Sequence, residues 1–292
     1  MKSMPTLPRR MFLERAAALL PAISIAGKAN EGSRHLTNIG VELYTVRDIL
    51  PKDPSGTLHA IEQMGYTEAE VVYGGIDKIW PALKETKLKP VSVHVGTDLF
   101  DDQGKMQATL EDVKQRGFEF AVFPYLPPAQ RGGLEAIKKL AGKLNAAGKI
   151  SKNLGIRMCY HNHAFEFEPM QGTTPFETLL TETDSSLVWL EVDVFWVSVA
   201  GHDPVDIIQR HSDRVALVHL KDKPKSFPVR YNEQVPADTF KEVGHGSIDF
   251  PAVLRAATKA GVRHFFVEQD KTPGNPLNSL KASYEYLSKL SY

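Results

Sequence analysis

Short apolar runs rich in β-branched and aromatic residues recur along the 292-residue chain, each followed by a stretch with helical periodicity. The runs fall at 39–44, 69–73, 90–95, 119–124, 155–161, 187–193, 214–220 and 263–268. Near-continuous apolar character over so few residues suits strands covered on both faces, as parallel strands are. Between them lie amphipathic segments such as "TLHAIEQMG", "MQATLEDVKQRG", "LEAIKKLAGKLNAAGK" and "FPAVLRAATKAG". Three of these close on a glycine (Gly65, Gly117, Gly261), the usual residue for the left-handed helix C-terminus. Asp53-Pro54 and Asp203-Pro204 read as helix starts, a side-chain cap followed by proline in the first turn. Eight strands alternating with helices predict an α/β fold, a single-domain (β/α)8 TIM barrel over 36–292. An open doubly wound sheet is the alternative, but no Gly-x-Gly-x-x-Gly follows the first strand. The segment 221–247 is too long for a plain connection, which marks it as functional or disordered.

Composition narrows the partners. Lysine plus arginine and aspartate plus glutamate number 35 each, so no basic field exists for a phosphate backbone and a nucleic-acid partner is not expected. Cys159 is the only cysteine, which excludes an intramolecular disulfide. The beginning of the chain, "PRRMFLERAAALLPAISIAGKA", differs from the rest. Its Arg9-Arg10 followed by Phe12-Leu13 resembles a twin-arginine export signal, with an apolar stretch from Ala16 to Gly27 too short to span a bilayer. Residues 1–29 are therefore expected to be a cleaved signal peptide, and the protein to be periplasmic or otherwise exported already folded. An amphipathic first helix is the competing reading. No membrane span is expected after processing, and an oligomer is compatible with the composition.

Barrel enzymes place their reactive groups at the C-terminal ends of strands. Four strand ends carry metal-ligand types: "CYHNH", "LEVD", "VHLKD" and "FVEQD". Side chains alternate along a strand, so one inward residue from each gives His161, Asp193, His219 and Glu268. On the first of these strands His161 and His163 share a face with Cys159, and the choice between them as ligand stays open. Two imidazoles with two carboxylates suit one divalent ion, Mn, Co, Zn or Mg. Against this stands the ordinary reading of each residue alone: a hydrogen-bonded core histidine, a helix cap at Asp193, a surface pair of Glu268 with Arg263 or Lys271.

The motifs "YHNHAFEF", "LEVDVFWVSVAGHDP", "VHLKD", "GHGSIDF" and "VEQD" resemble, in order and over almost all of 36–292, the xylose isomerase-like barrels known as sugar phosphate isomerases/epimerases. Members include ketose epimerases, hydroxypyruvate isomerase, inosose dehydratase, lyases of 3-keto-glycosides and endonuclease IV. The resemblance implies a metal set of Glu, Asp, His and Glu on strands five to eight. Asp193, His219 and Glu268 match the last three positions, whereas His161 stands where epimerases carry glutamate. The family's symmetrical pair of catalytic glutamates is thereby lost.

The resemblance implies a small-molecule sugar or sugar derivative as substrate. Glu42, Tyr44 and Arg47 end the first strand and His94 the third, where they line a pocket or form rim pairs. Lys221 is expected at the rim, holding a hydroxyl or enolate oxygen, unless it is a solvated loop lysine. Glu191 points inward one layer below Asp193 and needs a partner, a second layer around the metal or Arg157. Phe195 and Trp196 are either a stacking wall or core, and His245 lies in a "GHG" turn that can reach the pocket. The expected activity is isomerisation or epimerisation: metal-assisted proton abstraction next to a carbonyl through an enediolate, with Glu268 or His163 as the base. The alternatives are β-elimination from a 3-keto-glycoside at the same site and a non-catalytic sugar-binding barrel. A nuclease is disfavoured by the zero net charge.

Overall fold

The computed structural model describes residue 1 and residues 34–292; the leader expected over 1–29 lies, Met1 aside, outside the described residues. Eight parallel strands close in sequential order into one barrel. They are β1 (Gly40–Glu42), β2 (Glu68–Val72), β3 (Lys89–His94), β4 (Phe120–Phe123), β5 (Arg157–His161), β6 (Val188–Asp193), β7 (Val215–Leu220) and β8 (His264–Val267). The helices are α1 (Pro54–Met64), α2 (Ile76–Lys84), α3 (Gln103–Gln115), α4 (Leu134–Leu154), α5 (Pro175–Glu182), α6 (Val194–Val199), α7 (Pro204–Arg210), α8 (Phe250–Lys259) and α9 (Pro276–Leu287). None of the described helices is long and apolar enough to cross a membrane.

Local chemistry sets the boundaries. Asp53 caps α1 by accepting the Gly56 N–H, and Asp203 caps α7 by accepting that of Val205. At the other end of α1, Gly65 turns left-handed at φ 109°, where a β-carbon would collide with the Tyr284 hydroxyl. The first strand is shorter than its apolar run. Glu42 Oε1 accepts the Tyr44 N–H at 3.0 Å and turns the chain into a 3-10 helix over Leu43–Val46.

Two layers fill the lumen, and their difference positions the site. The lower layer is apolar, with Val91, Phe120, Val122, Cys159, Leu217 and Phe266 in mutual contact. Above it the buried inward side chains of β1, β2, β3, β5, β6 and β7 are polar: Glu42, Glu70, Ser92 and His94, His161, Glu191 and Asp193, and His219. Register explains how they meet, since His161 pairs with Glu191 and Asp193 with His219 across neighbouring strands. The register shifts once between Ala69 and Glu70 and once between Leu190 and Glu191. Such irregularities bend a strand and re-aim the side chains beside them. Both fall on carboxylates of the polar layer.

Candidate functional site

The upper end of the lumen holds a cluster in which His161, Asp193, His219 and Glu268, all buried, offer ligand atoms within 4.8 Å of one another. His94 and Glu191 form a second group with His161 and His219, and Glu42, Glu70 and His94 a third one deeper in. Hydrogen bonds join them. His219 faces Glu268 through Nδ1 at 2.8 Å and Glu70 through Nε2 at 2.5 Å. Glu191 Oε2 lies 2.9 Å from His161 Nδ1 and 3.0 Å from His94 Nε2. Asp193 divides its two oxygens. Oδ1 accepts the Trp196 N–H at 2.9 Å and caps α6, while Oδ2 points at Lys221 Nζ, 3.0 Å away. The helix-cap reading of Asp193 thus holds, and its other oxygen faces the cluster.

Five buried carboxylates share this cluster: Asp193 and Glu268 lie against the Lys221 ammonium, Glu70 and Glu191 against the histidines, and Glu42 in the group with Glu70 and His94. Glu70 Oε1 and Glu191 Oε1 accept no hydrogen bond, and Asp193 Oδ2 has only the Lys221 ammonium, 3.0 Å away. Buried anionic oxygens without donors are costly unless a cation answers them, so the donor set fits a divalent ion. The four-residue group led by His161 reaches the cavity through His161 and Glu268. Burial pushes the His161 imidazole well below the usual histidine range, leaving it neutral as a ligand must be. Burial would also lower His219, but the Glu191 and Glu70 carboxylates hold it well above its ordinary value, so a metal ion taken up there has to displace a proton from this ring. Burial would raise Glu268; Lys221 and His219 instead keep it well below the carboxylate range.

Over this floor lies a cavity of about 550 Å³. Tyr44, Tyr125, Trp196 and Phe240 give it aromatic walls; His94, His161, His163 and Glu268 reach it from below. Arg47 stands on its rim, 4.2 Å over the Tyr44 ring, with its guanidinium donating to the Tyr44 carbonyl at 2.9 Å and the Asp270 carbonyl at 2.6 Å. Glu233, from the long segment after β7, closes another side through a 3.0 Å pair with Arg131. Arg131 in turn lies 3.6 Å over the Phe165 ring.

Tyr44, Arg47, His94, His163, Trp196 and Glu268 line the cavity as the sequence suggested. Lys221 does not stand at the rim. It is wholly buried beneath, within 2.6–3.0 Å of Asp270, Glu268 and Asp193, because alternation fixes its inward direction but not its depth. Glu42 is also buried under the floor, where burial pushes its carboxyl well up. His245 stays on an exposed turn away from the cavity lining. There the two glycines serve Asp222, whose carboxylate accepts the N–H groups of Lys223, Gly244, Gly246, Ser247 and Ile248. Glu191 pairs with histidines rather than with Arg157, which lies exposed near Phe120 and Trp189. His163 follows the end of β5 and belongs to none of the ligand groups found among the described residues. Sequence reasoning missed Glu70, although Glu68 and Glu70 at alternate positions of an otherwise apolar strand were a signal for buried inward acids. It also passed over Tyr125, Glu233, Phe240 and the carboxylate of Asp270, which the turn-rich connections carry.

A family model described as xylose isomerase-like TIM barrel matches residues 58–290. Inosose dehydratase of Clostridium botulinum (strain Alaska E43 / Type E3) is 29% identical over 160 residues, 51% of this chain and 53% of that protein. The chain thus spans about half the length of the curated relatives it matches. A sugar phosphate isomerase/epimerase from Parabacteroides distasonis ATCC 8503 superposes with a TM-score of 0.73 at 23% identity, covering 92% of this chain and 98% of that one. The IolI protein with a bound zinc atom gives 0.64 at 17% identity, covering 85% and 95%. At these identities the superpositions speak for the fold.

Proposed function

Because the chain belongs to the xylose isomerase-like TIM barrel family, we propose that it is a metal-dependent enzyme that moves a proton next to the carbonyl of a sugar or sugar derivative. The observation that carries this is the buried quartet His161, Asp193, His219 and Glu268 at the floor of an aromatic-walled cavity. A divalent ion bound there supplies Lewis acidity toward a carbonyl and its neighbouring hydroxyl. The aromatic walls offer flat apolar faces for the C–H side of a sugar ring. Lys221 keeps Asp193 and Glu268 oriented and Glu268 ionised. Glu268 Oε2 is already engaged by Lys221 and His219, whereas the His163 ring carries an unpartnered nitrogen. The base is His163, whose imidazole lies in the cavity wall outside the quartet and is held neutral by burial and by the nearby Lys221 charge. His163 takes the proton from the carbon beside the carbonyl, leaving an enediolate, and returns it to a carbon or to an oxygen.

Return to the neighbouring carbon is isomerisation, delivery of a proton to the opposite face of the first carbon by a second group or water is epimerisation, and return to a departing hydroxyl or alkoxyl is elimination. The relatives named inosose dehydratase favour elimination as an alternative outcome at the same site. Metal-loaded protein incubated in D2O with ketoses, inososes and 3-keto-glycosides decides. Deuterium is expected at the carbon next to the carbonyl, with chelator stopping its entry. Tight binding of such sugars without any exchange overturns the enzyme reading and leaves a sugar-binding barrel.

A further inference from the structure

The turn after β5 carries a buried carboxyl that the proton transfer above does not use. Glu166 is 1% exposed and sits in a short 3-10 turn, Phe165–Phe167. Its Oε1 is hydrogen-bonded to the Tyr160 hydroxyl at 2.7 Å, and its Oε2 accepts the His163 backbone N–H at 2.9 Å. Tyr160 alternates outward from the lumen, where its ring stacks on Phe123 at 5.6 Å. The carboxyl therefore spans the turn from the outer face of β5 to the residue that follows the strand.

The His163 ring lacks such a tether. Among the described residues it makes no side-chain hydrogen bond, and its Nδ1 is buried without a partner. It rests between Tyr125 at 4.9 Å and Trp196 at 5.3 Å. Stacking contacts tolerate sliding, so the ring's place is set by the backbone beneath it. That backbone is held by Glu166 and by a longer bond, 3.5 Å, from Asn162 Nδ2 to the His163 carbonyl.

We propose that Glu166 is a positioning residue, whose carboxyl fixes the turn that presents the His163 imidazole to the cavity. The proposal rests on the reading of His163 as proton carrier only for its effect on rate. Burial pushes the Glu166 carboxyl up to about 8, so near neutrality it is an uncharged acid: Oε2 accepts the His163 N–H, and the protonated Oε1 donates to the Tyr160 hydroxyl, which becomes the donor only when Glu166 ionises. A glutamine reproduces that pattern. An alanine leaves the Tyr160 hydroxyl and the His163 N–H without their partner.

The test compares Glu166→Ala, Glu166→Gln and Tyr160→Phe in the full chain. Imidazole resonances of His163 are followed by ¹⁵N-correlated NMR, assigned by their loss in His163→Gln, beside the deuterium-exchange assay. Glu166→Ala is expected to displace the His163 resonances while those of His94 and His219 stay. Exchange at saturating substrate should fall about 10- to 100-fold with KM unchanged, as expected for a displaced reacting group. Glu166→Gln should match the wild type in both readouts, and Tyr160→Phe should shift His163 in the direction of the alanine variant by less. Should Glu166→Ala fail to fold, Tyr160→Phe carries the test alone. Unmoved His163 resonances in the variant that folds, or a glutamine that fails to restore them, overturn the proposal. Displaced His163 with no exchange even in wild type leaves the positioning role standing and removes the proton-transfer reading.

Discussion

Replacing Lys221 by methionine keeps the length and flexibility of the side chain and removes its charge. The ammonium lies 2.6 Å from Asp270 Oδ2, 2.8 Å from Glu268 Oε2 and 3.0 Å from Asp193 Oδ2. At an effective dielectric of about 20, each contact of that length is worth roughly 6 kcal/mol before desolvation. Burying the ammonium offsets much of this. What remains on removing one partner is the cost of carboxylates stranded in the interior, typically about 3–5 kcal/mol. For a barrel of this size that loss lowers Tm by roughly 6–20 °C. The measurement is thermal unfolding by near-ultraviolet circular dichroism, in chelator and again with added Mn²⁺ or Zn²⁺. In chelator the variant should melt well below the wild type. With metal it should regain more than the wild type gains, because the ion answers the charge on Asp193 and Glu268 that lysine no longer shares. An unchanged Tm in chelator, or equal gains with metal, refutes the reasoning.

Asp193→Ala should abolish stoichiometric metal binding by elemental analysis while the far-ultraviolet spectrum stays that of a barrel, with a modest loss from the uncapped start of α6; retained metal in an unfolded chain would show a structural role instead. Glu166 has its folded pKa raised from 4.5 to about 8, so the folded state holds the proton across that window. Its contribution is fully present below the unfolded pKa and is lost as pH rises through the folded one, up to roughly 5 kcal/mol in all. Urea midpoints of wild type against Glu166→Gln should therefore diverge as the pH rises toward 8, wild type falling behind; parallel curves count against the raised value. Export, proposed from Arg9-Arg10 and the apolar stretch after them, is checked by converting both arginines to lysine, which should hold the protein in the cytoplasm with its leader uncleaved.

The strand ends were legible for a physical reason. A parallel strand covered on both faces is written as an apolar run, so a histidine or carboxylate at its end stands out, and parity then picks Asp193, His219 and Glu268 and leaves His161 or His163 on strand five. Glu70 escaped because its partner, His219, is 149 residues away and strand two has no polar end to draw attention. The irregularities beside Glu70 and Glu191 leave no local mark in the sequence, yet they help aim those carboxylates. Depth was equally invisible. Alternation tells the face of Lys221, whereas strand tilt and the crowd of acids decide that it ends beneath the cavity. His245 shows the reverse limit, since a turn's aim depends on what its backbone is bonded to, here Asp222.

That last attachment has a wider consequence. By pointing opposite ways, neighbouring residues of the β7 end do unrelated jobs: His219 and Lys221 serve the floor, while Asp222 fastens the returning loop through four N–H groups. An Asp222–Lys241 bridge pins the same return. The chain between Pro224 and Ala237, which carries Glu233 into the cavity wall, is thus a span bolted at both ends. Its length and composition can change without disturbing the register of the ligands. Under the proposed function, exchange of this span between related barrels would alter the wall that meets the substrate while leaving His161, Asp193, His219 and Glu268 in place.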